Sequence, residues 1–473
     1  MDTPKDSVTY IDEQFDTWFI RALSDFVRVP NLTMQADKDF ATNGLIQQAI
    51  EIVDKYITEL DVKGIQRQIF HPEGTNPLVV YVIEPSDDGQ TQNLMIYGHL
   101  DKQLWGTGWN EGLTGNDPVI KGDLMYGRGS IDDGYCPFAA ILAVKALQET
   151  GCKHPRIVLV LETEEESGSP NLINLLDQAS SLIQTPDLCI VLDAGGFDAS
   201  SMWLTTSFRG LVVVDLTVEA AKVEKHSGLG GIIPETFRIA RNLLDRLDDS
   251  KTGKVSEDLQ TSIPDLKYEE AKLLAPFYTY TIKNLKMLHD GVLHVDEDNV
   301  QEVYLNNVWR SNISVTAAEG LPAIDKSGNV LRPSTTLRLS IRLCPNLLAQ
   351  DAIKIIEEKL TRDVAHNAKI TLKFSQAGNG WVQKDLDQSV HNAFNQASQK
   401  FMDGKSCRTF GNPGSIPFVY DLQNQYPDTQ MLITGACTPG NSIHAPNEHI
   451  NLPHTKKVIK VISHFIQLIG EKQ

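Results

Sequence analysis

Leu94-Met95-Ile96-Tyr97-Gly98-His99-Leu100-Asp101 is a short apolar run that ends on an imidazole and a carboxylate. Two other runs end in a similar way. Ile157-Val158-Leu159-Val160-Leu161 leads into Glu164-Glu165-Glu166-Ser167-Gly168, and Leu188-Cys189-Ile190-Val191-Leu192 leads into Asp193. Continuous apolar runs of this length, bounded by glycine, proline or charge, predict buried strands of a parallel sheet. Ligands of open α/β sheets bind beyond the carboxyl ends of the strands. Here those ends carry His, Asp and Glu, the donor types of a hard-to-borderline divalent ion. One such ending is commonplace. Three in order point to a carboxylate-rich metal site.

On either side of these runs the βα alternation continues. Helical spacing over 11–29 stops at Pro30, a second helix is expected over 42–60, and a strand over 78–83. Pro137 is placed to open a helix that Gly151 closes. This predicts an α/β domain with a mainly parallel, helix-covered sheet. The pattern changes after Ser207. Strands near 211–218, 310–315, 335–343 and 370–374, with helices over 234–247 and 349–365, give the order β-α-β-β-α-β of a ferredoxin-like α+β sandwich. A polar insertion at about 248–308 interrupts it. The βα pattern then resumes with a helix over 387–401, a strand over 430–434 and a helix over 454–469. The expected organisation is a catalytic domain formed by 1–206 and 384–473, with a lid or dimerisation domain, 207–383, inserted.

The chain has 473 residues, more than one compact core usually serves. No apolar run reaches the roughly 18 residues of a membrane helix, and the polar start Met-Asp-Thr-Pro-Lys-Asp carries no secretory signal pattern. A net charge of −18 argues against nucleic acid and anionic membrane as partners. Cys136, Cys152, Cys189, Cys344, Cys407 and Cys437 form no CxxC pair, as expected of free thiols in a reducing cytoplasm.

Each motif taken alone has two explanations. His99 is either a turn histidine or a ligand whose ring Asp101 orients. The carboxylates of Gly127-Arg128-Gly129-Ser130-Ile131-Asp132-Asp133-Gly134 are either a helix cap or a bridge between cations. Glu164-Glu165-Glu166 is a solvated run, or a ligand beside a proton-transfer base. His444, in Gly440-Asn441-Ser442-Ile443-His444-Ala445-Pro446-Asn447-Glu448, and His226, in His226-Ser227-Gly228-Leu229-Gly230-Gly231, are loop histidines or site residues.

Together these motifs resemble, in order and context, the di-zinc metallopeptidase family of carnosinase, cytosolic non-specific dipeptidase, peptidase V, carboxypeptidase G and aminoacylase. The resemblance spans nearly the whole chain and is strongest to the dipeptidase branch. It implies metal-dependent hydrolysis of dipeptides or short peptides with a free C-terminal carboxylate, by a two-metal-activated water. It implies two zinc ions per chain, with manganese or cobalt as substitutes, held by His99, Asp132, Glu166, Asp193 and His444. Asp132 resembles the bridging ligand, Glu165 the general base, and Asp101 the acid that orients His99. His226, Arg342 in Ser340-Ile341-Arg342-Leu343, and Ser415 in Gly414-Ser415-Ile416-Pro417 resemble substrate-binding residues, with His226 reaching the partner's site in a cytoplasmic homodimer. The chain departs from the family at Gly134-Tyr135, where relatives have Lys-Gly, and in Asp193-Ala194-Gly195-Gly196. Alternatives of the same outline are an N-acyl-amino-acid deacylase and a dimeric relative whose catalysis has lapsed.

Overall fold

The three apolar runs are adjacent strands. A six-stranded sheet has the order Ile65–Phe70, Leu78–Ile83, Arg156–Glu162, Asn93–His99, Leu188–Val191, Gln430–Ile433. The last four are mutually parallel. Leu78–Ile83 and Asn93–His99 are buried at every position, which is why they read as unbroken apolar runs. Leu78–Ile83 pairs antiparallel with Arg156–Glu162, and Ile65–Phe70 antiparallel with Leu78–Ile83. Residues 71–77, which join Ile65–Phe70 to Leu78–Ile83, are too few for the crossover that a parallel pair needs.

This computed structural model describes residues 6–471 except 88, 286, 287 and 297. It divides into two units, Met1–Thr206 with Gln383–Phe410 and Asp421–Gln473, and Ser207–Val382 with Gly411–Tyr420. The sequence put all of 384–473 with the first unit. Residues 411–420 cluster with the second because Arg209 N–H donates to Gly414 O at 3.1 Å and Ser415 Oγ donates to Arg209 O at 2.6 Å.

In the first unit, helix Cys136–Thr150 begins one residue before Pro137. It ends at Gly151, whose φ of 67° lets its N–H reach the Leu147 and Gln148 carbonyls. The helix is apolar nearly all round and buried accordingly. Helix Leu452–Gly470 packs beside it, capped by Asn451. The helix expected over 11–29 starts earlier, at Ser7, because the Asp6 carboxylate caps Thr9 N–H at 2.7 Å. It contains a π turn, Phe15–Phe19, and ends at Arg28 ahead of Pro30.

The second unit is a four-stranded antiparallel sheet in the order Asn312–Glu319, Ser334–Leu343, Gly210–Glu219, Lys369–Gly378. Leu337, Leu339, Ile341 and Leu343 join Val212, Val214, Leu216 and Val218 in a core with helices Thr236–Leu244 and Ala349–Thr361. The insertion contributes helices Asp265–Leu285 and Val300–Val308. Among the described residues no helix is long and apolar enough to cross a membrane. All six cysteines are free, three buried and three partly exposed.

Candidate metal centre

Parallel register brings the decisive side chains to one edge. His99 is level with Glu162 and Tyr97 with Val191, so the three strands end together. His99 is fully buried, its Nδ1 3.0 Å from the Asp101 carbonyl and 3.5 Å from Asp101 Oδ1. Its Nε2 lies 3.1 Å from Asp132 Oδ1 and 3.9 Å from Asp193 Oδ2. His444 Nε2 lies 2.9 Å from Asp132 Oδ2 and 3.1 Å from Glu166 Oε2. The two oxygens of Asp132 thus face different histidines. The Asp132–Asp133 peptide is cis.

The three consecutive glutamates are sorted by their contacts. Glu164 accepts from Asn76 N–H at 2.7 Å and Asn171 Nδ2 at 2.8 Å, so it is a buried and satisfied structural group. The Asp101 carboxylate accepts from Glu165 N–H at 3.1 Å and Glu166 N–H at 3.2 Å, fixing the turn that carries both. Donor atoms of His99, Asp132 and Glu166 lie within 4.8 Å of one another, as do those of His99, Glu165 and Asp193.

Burial pushes Glu165 and Asp193 well above the usual carboxylate range, and neighbouring carboxylates add to it, although the His99 charge opposes. Burial and Asp132 likewise raise Glu166. Burial opposes the charged form of His444, yet Asp132 and Glu166 lift it to about 11. His99 is lifted the same way by Asp101 and Asp132. Asp132 is held below its usual range, since hydrogen bonds to both histidines overcome its burial. The centre therefore lacks positive charge. Glu166 Oε1 is also buried without a hydrogen-bond partner among the described residues. Orphaned, buried carboxylate oxygens are costly unless a cation or donor meets them. Two imidazoles and several carboxylates fit divalent ions of the zinc type.

The profile of peptidase family M20/M25/M40 matches residues 95–468. The chain belongs to that family. It is therefore a metallopeptidase of the M20 type, with the catalytic and inserted domains of that fold. The Cys-Gly metallodipeptidase dug1 of Schizosaccharomyces pombe is 23% identical over 472 residues, covering 96% of both chains. A cysteinylglycine-S-conjugate dipeptidase of Corynebacterium striatum is 23% identical over 398 residues, covering 83% of this chain and 84% of that one. The crystal structure of human carnosine dipeptidase 1 superposes with a TM-score of 0.77 at 20% identity, covering 98% of both chains, a likeness of fold.

Of the other expected site residues in this M20 chain, Arg342 and Ser415 are in contact. Arg342 Nη1 donates to Ser415 Oγ at 2.7 Å. His226 is exposed on a short ladder, Lys225–His226 with Val330–Leu331, and its Nδ1 accepts from Gly228 N–H at 3.0 Å. The residues that depart from the family are tightly placed. A Cβ at position 134 would come within 2.3 Å of the Gly129 carbonyl oxygen and 2.4 Å of the Phe26 ring. The buried Tyr135 hydroxyl donates to the Leu192 carbonyl beside Asp193 and accepts from Ala436 N–H at 3.0 Å. Asp193 and its Gly195-Gly196 loop lie flush on 435–437, where a Cβ at Gly195 would meet the Cys437 oxygen at 1.8 Å.

One pair escaped sequence reasoning. Buried Arg128 donates to Glu448 at 2.5 Å, and Glu448 also accepts from Gly129 N–H at 2.8 Å. This pins the Asp132 loop to the His444 loop. Both residues stand inside quoted motifs, but nothing in spacing pairs positions so far apart.

Proposed function

We propose that this chain is a dipeptidase acting on peptides with a free C-terminal carboxylate, with two zinc ions in the centre. The supporting observation is Asp132, whose two oxygens face different imidazoles, His99 and His444, beside a Glu166 oxygen that is buried without a hydrogen-bond partner among the described residues. His99, Asp193 and Asp132 would hold one ion, and Glu166, His444 and Asp132 the other. Bound there, the metal supplies Lewis acidity and an acidified water.

The chain's own residues do the rest. Glu165, raised by burial and by its neighbours, takes the proton of the attacking water at its carboxylate and passes it to the leaving amine. Asp101 keeps the His99 ring and the Glu165–Glu166 turn in register. Arg342 reads the C-terminal carboxylate through its fork. His226 supports the carbonyl oxygen from a partner subunit in a homodimer. Six free cysteines accord with a cytoplasmic site of action.

A panel of dipeptides, their C-terminal amides and N-acyl amino acids, assayed with zinc, manganese and cobalt, tests the assignment. Dipeptides should be cleaved well and acyl amino acids poorly. The reverse order would make the chain a deacylase. No turnover of either, despite bound metal, would mean that catalysis has lapsed. Elemental analysis after reconstitution should find close to two metals per chain, and a value near zero would refute the centre itself.

A further inference from the structure

Ser415 has one hydroxyl proton, and it is committed. Its Oγ donates to the Arg209 carbonyl at 2.6 Å and accepts from Arg342 Nη1 at 2.7 Å. Arg209 also grips the rest of that loop. Its N–H donates to Gly414 O at 3.1 Å, its Nε to Pro413 O at 3.1 Å and its Nη1 to Arg310 O at 3.4 Å. The insertion braces the loop's start, where Gly411 N–H donates to Tyr304 Oη at 2.8 Å and Tyr304 Oη donates to Glu270 Oε1 at 2.6 Å. Residues 411–415 are therefore tied at Gly411, Pro413, Gly414 and Ser415.

Arg209 is only 6% exposed. A buried arginine is ordinarily paired with an acid. Among the described residues, Arg209 and Arg342 instead hydrogen-bond only to backbone carbonyls and one hydroxyl, and no ion pair involves either. Burial and the nearby Arg342 charge lower Arg209 to about 10. Two guanidiniums thus share one cluster with no anion among the described residues.

We propose that Arg209 is a positioning residue for carboxylate recognition. It fixes Ser415, and through Ser415 it holds the Arg342 guanidinium in a preset orientation, so that the fork is ordered before substrate arrives. The uncompensated charge of the pair is the complement of one carboxylate. This role rests on the assignment of Arg342 to the substrate's C-terminal carboxylate. A purely structural Arg209 would tie the loop for folding and leave substrate choice alone.

The test compares kcat and KM for a dipeptide and its C-terminal amide in the wild type, Arg209→Lys, Ser415→Ala and Ser415→Thr. Arg209→Lys and Ser415→Ala should each raise KM for the dipeptide. Each should shrink the acid-to-amide ratio of kcat/KM by about tenfold, the scale of one hydrogen bond to a charged group. Ser415→Thr, which keeps the hydroxyl, should retain most of the ratio. If Arg209→Lys does not fold, Ser415→Ala still breaks the relay. A large wild-type ratio left untouched by Ser415→Ala would overturn the role of Arg209 alone. A wild-type ratio near one would overturn the carboxylate assignment of Arg342, and this role with it.

Discussion

Glu165 and Glu166 are neighbours to which the proposed function gives opposite tasks, and the Asp101 carboxylate accepts from the N–H groups of both. Glu166 stands against His444 and Glu165 belongs with the His99–Asp193 group. Glu165→Gln should retain metal and lose activity by about 10²–10⁴-fold, the weight of a general base. Glu166→Gln should lose metal affinity as well. Metal analysis and turnover on both variants check this, and swapped phenotypes would mean that the two roles are reversed. The run of three glutamates was visible in the sequence, and the family resemblance alone gave Glu165 and Glu166 their expected duties. The turn's contacts settle only Glu164, through Asn76 and Asn171. Arg342 was likewise singled out by the resemblance of Ser340-Ile341-Arg342-Leu343 to the family, whereas Arg209 was not. Its partners are backbone carbonyls at 310 and 413, which no side-chain pattern encodes.

At the scale of elements, the strands that carry the centre were the easiest to read, because burial on both faces makes them continuously apolar. Ile65–Phe70 was missed for the opposite reason. It is an edge strand with Gln66, Arg67 and Gln68 exposed. Helix Leu452–Gly470 was read to within two residues at its start, and its first turn holds a titratable group. His454 is nearly buried there, where helix N-terminal N–H groups also disfavour a cation. Burial lowers its pKa to about 4, against the opposing pull of the Ala199 carbonyl and Asp198. The unfolded imidazole titrates near 6.5. Between those values the unfolded chain binds the extra proton, so this contribution to stability is present above about 6.5 and is lost as pH falls toward 4. Urea midpoints of the wild type and His454→Gln measured across that window should converge as acidity rises. Parallel curves would show that His454 is not the source. Only the difference is informative, since the carboxylates of the centre titrate in both proteins.

At the scale of the molecule, the inserted unit was recognisable by its β-α-β-β-α-β order, and what it does depends on its exposed surfaces. Strand Asn312–Glu319 leaves a sheet edge open and is exposed at nearly every position. Ile324 is 93% exposed and Ile232, near His226, is 81% exposed. Apolar side chains and an unpaired edge of this kind suit a second copy of the chain. If His226 serves the partner's centre, inactive His226→Ala and inactive Glu165→Gln chains should regain activity when their subunits exchange. The recovered level should be about half that of wild type per mixed dimer, because one of its two centres then has both residues. Verified exchange without recovery would confine His226 to its own chain or to no catalytic role.

The strand Gln430–Ile433 and the proposed ligand His444 join partners that precede the inserted unit. During synthesis, then, the inserted unit leaves the ribosome whole and can fold while the sheet of the other unit still lacks its last strand. His99, Asp132, Glu165, Glu166 and Asp193 are all translated long before His444 closes the set. A nascent chain that has passed Asp193 but not His444 therefore carries the acidic cluster with one of its two imidazoles. For an enzyme that breaks peptide bonds, this chain order keeps the proposed centre incomplete until the inserted unit has been made.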